Sequence, residues 1–416
     1  MRILLLAPHP FFQQRGTPIA EKMLLQVLAA AGHEVEVLTF PEGEDPGVPG
    51  CRVHRAAAPA WARGVRPGFS PKKLVCDAGM LWKALRMIRP RRYDVVHAVE
   101  ESAFMALLGK WLFGVPYVYD MDSGLAQQMV DRFPALGRVR GLLDFFERRA
   151  VRGSCGTLAV CGSLEAQARA FDPRGLVARL EDVSLLGENI DEDTDEDTDS
   201  SAESLDLHPP EWAGDPLVLY VGNLQVYQGI DLLLAGFART VARVPAAKLI
   251  VVGGTPEEIA HYRREAARLG IAAGVHFAGP RPVESLGRCL QQATVLVSPR
   301  VHGTNTPMKV YSYLDSGVPL VATRLPTHTQ VLDDETALLV APEPEAMGEG
   351  LARLLEDGEL RARLAGNARQ FAQREFTPEA FRRKLLGFYD AVANRILEDG
   401  NDGQTTGLQA RTPGRS

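Results

Sequence analysis

At 416 residues and 45.4 kDa the chain is too long for one ordinary domain, so two are expected. Hydrophobic residues at 45% and charged residues at 24% exclude a disordered or fibrous protein. A net charge of −6 excludes a nucleic-acid binder held by a pervasive basic field.

The opening run Met1-Arg-Ile-Leu-Leu-Leu-Ala7 predicts a strand buried on both faces of a parallel sheet, and is too short for a signal-peptide core. Thr17-Pro18 then opens a helix to residue 31, stopped by Gly32, and a strand over 33–40 completes a β-α-β unit. A helix is expected over 76–88, a strand over 94–98, a helix over 102–112, a strand over 117–121, a helix through 149 and a strand over 157–160. The stretch 103–119 is the most membrane-like, but Lys110 and Pro116 interrupt it, so it reads as a buried helix followed by a strand.

Residues 187–214 read as a linker or surface loop. Within it, 188–199 hold eight carboxylates and no cation, so the rest of the chain carries a small positive balance. Its alternating aspartates do not make an EF-hand, because Thr198 and Ser204 stand where that loop needs Gly and Glu. A second alternation follows. Strands are expected over 217–222, 248–252, 275–278, 294–298, 320–322 and 337–340, with helices after Gly229, Thr255-Pro256, Glu284 and Thr306-Pro307. The organisation is thus α/β, with doubly wound domains over 1–186 and 215–376, a helix over 377–398 and a polar, disordered tail over 399–416. The cysteines Cys51, Cys76, Cys155, Cys161 and Cys289 form no C-x-x-C pair and lack zinc-like His spacing, which points to reduced thiols and a cytoplasmic setting.

Ligands of such sheets bind beyond the carboxyl ends of the strands. Two Thr-Pro helix starts there differ. Thr255-Pro256 is followed by Glu257 and Glu258, which complement the positive helix end, whereas Thr306-Pro307 is followed by Met308 and Lys309. A bound anion would offset that misplaced cation. Arg300 lies upstream, with Gly303 allowing close backbone approach, so 298–309 read as an anion cradle. Ordinary surface cations remain the alternative. Arg15 and Gly16 before the first helix, and Gly222-Asn-Leu-Gln-Val-Tyr-Gln-Gly229, are further loops of this kind, or else plain connections. Gly253-Gly254 is half a dinucleotide fingerprint, with no G-x-G-x-x-G. His97 and Asp122 end consecutive strands and are read as a general base or hydroxyl-positioning pair, against a structural His and a capping Asp. No G-x-S-x-G nucleophile occurs, and neither Cys155 nor Cys161 has a local His.

These pieces resemble the GT-B glycosyltransferases, specifically the family-four-like retaining enzymes. The resemblance runs from Met1 to about Ile396 and rests on Ala31-Gly-His-Glu-Val35, Asp94-Val-Val-His97, Leu219-Tyr-Val-Gly222 with Gly229-Ile-Asp231, and Pro307-x-Lys-x-x-Ser-x-x-x-x-Gly-x-Pro319 in that order. It implies two Rossmann-like domains facing across a cleft, with a nucleotide-sugar donor held mainly by the second and a saccharide or lipid-linked acceptor mainly by the first. It also implies a final helix that crosses back to the first domain, and no metal or other cofactor. Helix dipoles and basic side chains would stabilise the departing nucleotide diphosphate. On this reading His97, Asp122, Arg300 and Lys309 are catalytic. Arg15, Gly16, Thr17, Gly222, Asn223, Gln228, Gly303, Thr304, Asn305, Thr306, Pro307, Met308 and Ser312 surround the donor.

The chain departs from the family pattern. The usual Glu pair, with seven residues between its members, is replaced by Thr304 and Ser312. The usual Arg and Lys of the donor loop become Asn223 and Gln228, and a strand-end His becomes Asp122. Either Arg300 and Lys309 replace the missing cations, which is the favoured account, or transfer activity has been lost. A sugar-nucleotide epimerase and a non-catalytic nucleotide- or sugar-binding protein are the alternatives. Residues 61–92 carry nine Lys or Arg against Asp77, interleaved with Trp61, Phe69 and Trp82. They form either a solvated helix face or a peripheral contact with the anionic inner face of the membrane.

Overall fold

Runs of apolar β-branched and leucine residues alternate with amphipathic helices, and such segments bury their apolar surface as a parallel sheet with helices on both faces. The chain does this twice. The computed structural model describes residues 1–13, 16–65, 70–186 and 207–409, and only the backbone of residues 131–132 and 399–409.

The first unit spans Met1–Glu181 and takes in the end of the chain from Arg382. Its elements are β1 (Arg2–Ala7), α1 (Gly16–Ala30), β2 (Glu34–Thr39), β3 (Arg52–Arg55), α2 (Pro71–Met87), β4 (Val95–Val99), α3 (Ser102–Phe113), β5 (Tyr117–Met121), α4 (Leu125–Arg132), α5 (Arg140–Gly153), β6 (Gly156–Ala159), α6 (Gly162–Phe171) and β7 (Val177–Arg179). The seven strands are parallel in the order β3-β2-β1-β4-β5-β6-β7. Central β1 is fully buried from Ile3 to Ala7, and Leu5 lies opposite Val37 on one side and His97 on the other.

The second unit spans Asp182–Phe381. It contains β8 (Leu217–Val221), α7 (Ile230–Arg243), β9 (Lys248–Val252), α8 (Pro256–Arg268), β10 (Val275–Gly279), α9 (Leu286–Gln291), β11 (Val295–Ser298), α10 (Lys309–Asp315), β12 (Leu320–Thr323), α11 (Pro326–Thr329), β13 (Leu338–Val340), α12 (Pro344–Glu356) and α13 (Gly358–Glu375). Its six parallel strands follow the order β10-β9-β8-β11-β12-β13. Two apolar layers cover the two faces, one built around Phe237 and Met347 and the other around Tyr311 and Tyr313. The last helix, α14 (Pro378–Gln409), packs Phe388 and Tyr389 onto the first unit and continues beyond the end expected at residue 398, so residues 399–409, read from the sequence as part of a disordered tail, are helical.

Local signals explain most boundaries. Thr255 caps α8 with the reciprocal Glu258 contact, and Gly114 ends α3 in the left-handed conformation. Two helix starts require correction. Gly16 and Thr17 lie inside α1 rather than ahead of it, with Gly16 exposed and Thr17 half-buried. In the second unit α10 begins at Lys309, after a turn in which Val310 N–H reaches Pro307 O, so Thr306 does not cap it. Strands β3 and β7 lack a sequence signature because short, Arg-containing strands suit sheet edges. Arg15 and the acidic residues 188–199 lie outside the described residues.

Candidate functional site

In the second unit the loops after β8 and β11 converge. Arg300, two residues past β11, is 8% exposed. Its Nε donates to His302 O at 2.7 Å, its Nη2 donates to Asn305 Oδ1 at 3.0 Å, and its guanidinium lies 5.2 Å from the centre of the Tyr227 ring. Lys309 opens α10. Its stem is partly exposed, but its Nζ is buried, makes no hydrogen bond and sits 3.9 Å from the centre of the Tyr220 ring. Burial and, secondarily, the Arg300 charge push the Lys309 ammonium well below its ordinary pKa. Neither cation has a carboxylate partner among the described residues. Each cation therefore stands without a counter-charge, and the Arg300 charge acts on Lys309.

The cradle is rigidly backed. Buried His328 accepts a hydrogen bond at Nε2 from Ser298 Oγ (2.8 Å) and donates from Nδ1 to Thr323 O (2.9 Å), while Thr323 Oγ1 donates to Arg300 O at 2.6 Å. Burial lowers the His328 pKa to about 4, helped by the Arg300 and Lys309 charges, so the ring stays neutral and adds no repulsion. Gly222, with φ of 149°, passes so close that a Cβ there would sit 2.7 Å from Lys309 Nζ.

The other expected donor residues divide. Thr306 Oγ1 and Gln228 Oε1 are buried without a hydrogen-bond partner. Asn223 is exposed at the mouth of the loop, its backbone oxygen held by Tyr220 Oη at 2.6 Å. Asn305 O and Thr304 O accept from Thr327 and Gln330, so these two residues shape the loop that also holds Gly303, Pro307 and Met308. Ser312 faces away from the cradle: it is fully buried, and its Oγ accepts the Leu185 N–H at 3.0 Å.

In the first unit the expected His97–Asp122 pair requires correction. His97 is the middle residue of β4 and fully buried, with Nδ1 2.8 Å from Tyr389 Oη and Nε2 2.9 Å from Asp120 Oδ2. Both nitrogens are committed, so it positions Asp120 and α14. Asp122 does stand at the end of β5. Sequence reasoning missed two contacts in this unit: His9 Nε2 is 3.0 Å from Glu21 Oε2, and Ser123 Oγ donates to Glu100 Oε1 at 2.9 Å. Their separation along the chain hides them, since only the β1-β4-β5 order brings the strand ends together. Among the described residues, no three His, Cys, Asp or Glu side chains are placed to hold a metal ion.

Comparison with known proteins adds the decisive observation. The family model "Glycosyl transferases group 1" matches residues 215–357, and the model "Glycosyl transferase 4-like domain" matches residues 22–181. The chain belongs to the group 1 glycosyl transferases. This glycosyltransferase is 28% identical over 379 residues to D-inositol 3-phosphate glycosyltransferase of Frankia alni, covering 83% of this chain and 87% of the relative. Its fold matches sucrose-phosphate synthase from Thermosynechococcus elongatus with a TM-score of 0.71 at 21% identity, over 94% and 99% of the two chains. It also matches HepE of Anabaena in complex with UDP, with a TM-score of 0.68 at 16% identity, over 94% and 100%. The glycosyltransferase thus has the GT-B fold, with a sheet of seven strands and one of six.

Proposed function

We propose that this glycosyltransferase moves a hexose from a nucleotide-diphosphate sugar to a hydroxyl of a saccharide or lipid-linked acceptor, without a metal and with retention of anomeric configuration. One observation supports the donor reading above the others: the buried Lys309 ammonium beside Arg300 has no counter-charge of its own. A diphosphate supplies that charge and gains most as the sugar departs, when its negative charge grows. UDP bound to the HepE neighbour agrees with this donor class.

Titration of the wild type and Lys309→Ala with UDP and GDP tests the reading. The variant is expected to bind the preferred nucleotide about 10- to 100-fold more weakly, as for the loss of a charge-assisted hydrogen bond of about 1.5–3 kcal/mol. An active wild type whose variant binds as tightly would overturn the phosphate assignment. Donor incubated alone should yield no second nucleotide sugar, a product that would instead indicate an epimerase.

Peripheral membrane contact belongs to the same reading. No helix among the described residues is long and apolar enough to cross a membrane. Trp61, Leu74 and Trp82 are exposed, and the Arg86 guanidinium stacks 3.3 Å from the centre of the Trp82 ring. The patch is thinner than its composition suggests, because Lys73 pairs with Asp77 and Glu101, and Lys83 donates to Arg55 O. Arg66 and Phe69 lie outside the described residues. Co-sedimentation with anionic vesicles is expected to exceed that with neutral vesicles and to fall with added salt. Equal partitioning would remove the membrane from the proposal.

A further inference from the structure

Arg300 stands where a strand gives up its ladder. β11 and β12 pair as far as Ser298 opposite Ala322, and Pro299 then has no N–H with which to continue. The backbone that carries the Arg300 guanidinium is therefore held by side chains. They come from one segment, the end of β12 with α11, whose Thr323, Thr327 and His328 are fully buried, as is Ser298.

His328 is the centre of this support. Its Nδ1 lies 2.9 Å from Thr323 O, a carbonyl that only accepts, so Nδ1 carries the ring proton and Nε2 is left to accept from Ser298 Oγ at 2.8 Å. Burial keeps the ring's pKa at about 4, so that lone pair stays available. The same N–H is 3.0 Å from Thr323 Oγ1, which turns its lone pairs to the ring and its hydrogen to Arg300 O at 2.6 Å. The ring thus grips the chain two residues before Arg300 and, through Thr323, at Arg300 itself. Thr327 Oγ1 holds the far end of the loop at Asn305 O (2.7 Å), and Asn305 Oδ1 accepts from Arg300 Nη2 (3.0 Å). Such a buried polar network contributes little net stability over apolar packing of the same shape; what it adds is a fixed geometry.

We propose that His328 is a positioning residue for Arg300: by fixing Ser298 and Thr323 it sets the backbone from which the guanidinium meets the phosphates of the nucleotide, and it does so without touching the nucleotide. This rests on the donor reading above and adds to it a residue that acts only through Arg300. A misplacement of about 1 Å costs up to about 10²-fold where a charged group must meet its partner in one geometry. Loss of the ring therefore weakens the Arg300 contact even though Arg300 itself is kept.

The test is a double-mutant cycle read in the affinity of the full chain for UDP and GDP. His328→Ala, and Thr323→Val, which keeps the shape and removes only the hydroxyl, should each bind the preferred nucleotide about tenfold more weakly. In an Arg300→Ala background the same substitutions should change affinity by less than about twofold, whatever they do to the melting temperature. A merely structural role would weaken binding in both backgrounds. His328→Asn, whose amide N–H stands in for Nδ1–H, should recover most of the affinity lost in His328→Ala. Thr323→Val carries the cycle alone should His328→Ala fail to fold. Unchanged affinity in Thr323→Val, or an equal loss with and without Arg300, would overturn the inference while Arg300→Ala still binds weakly. Unchanged affinity in both Arg300→Ala and Lys309→Ala would instead overturn the donor reading, and this inference with it.

Discussion

Replacement of Lys309 by methionine is expected to leave the second unit more heat-resistant and the enzyme almost inactive. Burying an unpaired ammonium costs several kcal/mol. The Tyr220 ring beneath Nζ returns about 2 kcal/mol of that. Methionine follows the same stem, covers the same ring and removes the charge, so a net gain of about 1–3 kcal/mol is expected. Calorimetry should show the transition of this unit rising by about 2–4 °C per kcal/mol. Over the same change kcat/KM should fall about 10²- to 10³-fold, because a charge placed for the leaving diphosphate has gone. A destabilised variant would mean that the ammonium is satisfied in the resting protein, which would remove the main support for an anion cradle.

The same side chain gives the expected pH behaviour its sign. Burial depresses the Lys309 pKa in the folded protein, whereas the unfolded chain keeps the ordinary value of about 10.4. Between the two values the unfolded state binds the extra proton. Stability therefore rises with pH through that interval, is fully present above the unfolded value and is lost as pH falls through the folded one. Lys309→Met should flatten this dependence. Diphosphate binding should move the Lys309 pKa back up, so nucleotide affinity should fall more with rising pH in the wild type than in the variant.

What could be read from the sequence tracks how local each cause is. The apolar run of β1 and the Thr255-Pro256 start of α8 with its first-turn glutamates act within a few residues, and both elements stand as expected. Arg300 and Lys309 stand out in the sequence because a cation placed next to a Thr-Pro motif conflicts with helix electrostatics. Even so, the motif misplaced the helix start: the Pro307 carbonyl first closes a turn onto Val310, and Thr306 is left with a free hydroxyl. His97 was misread because its strand runs on to Val99, which moves it from the rim into the sheet against Tyr389. The His9–Glu21 and Ser123–Glu100 contacts had no local signal at all. Each joins residues from different elements, which only the folded first unit makes neighbours.

The loop that carries Arg300 depends on one backbone position, and Gly229→Ala is expected to show it. Gly229 precedes α7 with φ of 75°, and a Cβ there would overlap the Pro299 carbonyl and lie 3.1 Å from Val301 Cγ1. The two loops are also joined by Val301 N–H on Tyr227 O at 3.0 Å, so neither can move away alone. The left-handed conformation costs alanine about 1 kcal/mol, and the backbone overlap should raise the total to roughly 3–4 kcal/mol. Gly270 provides the comparison, with φ of 73° and no heavy atom within 4 Å of a built Cβ. Gly270→Ala should therefore show the conformational cost alone and leave nucleotide affinity intact. Gly229→Ala should lower the melting temperature by several degrees more and weaken UDP or GDP binding, since Pro299 shifts and takes Arg300 with it. Equal losses in the two variants would show that contact with Pro299 is not what sets the position of Arg300.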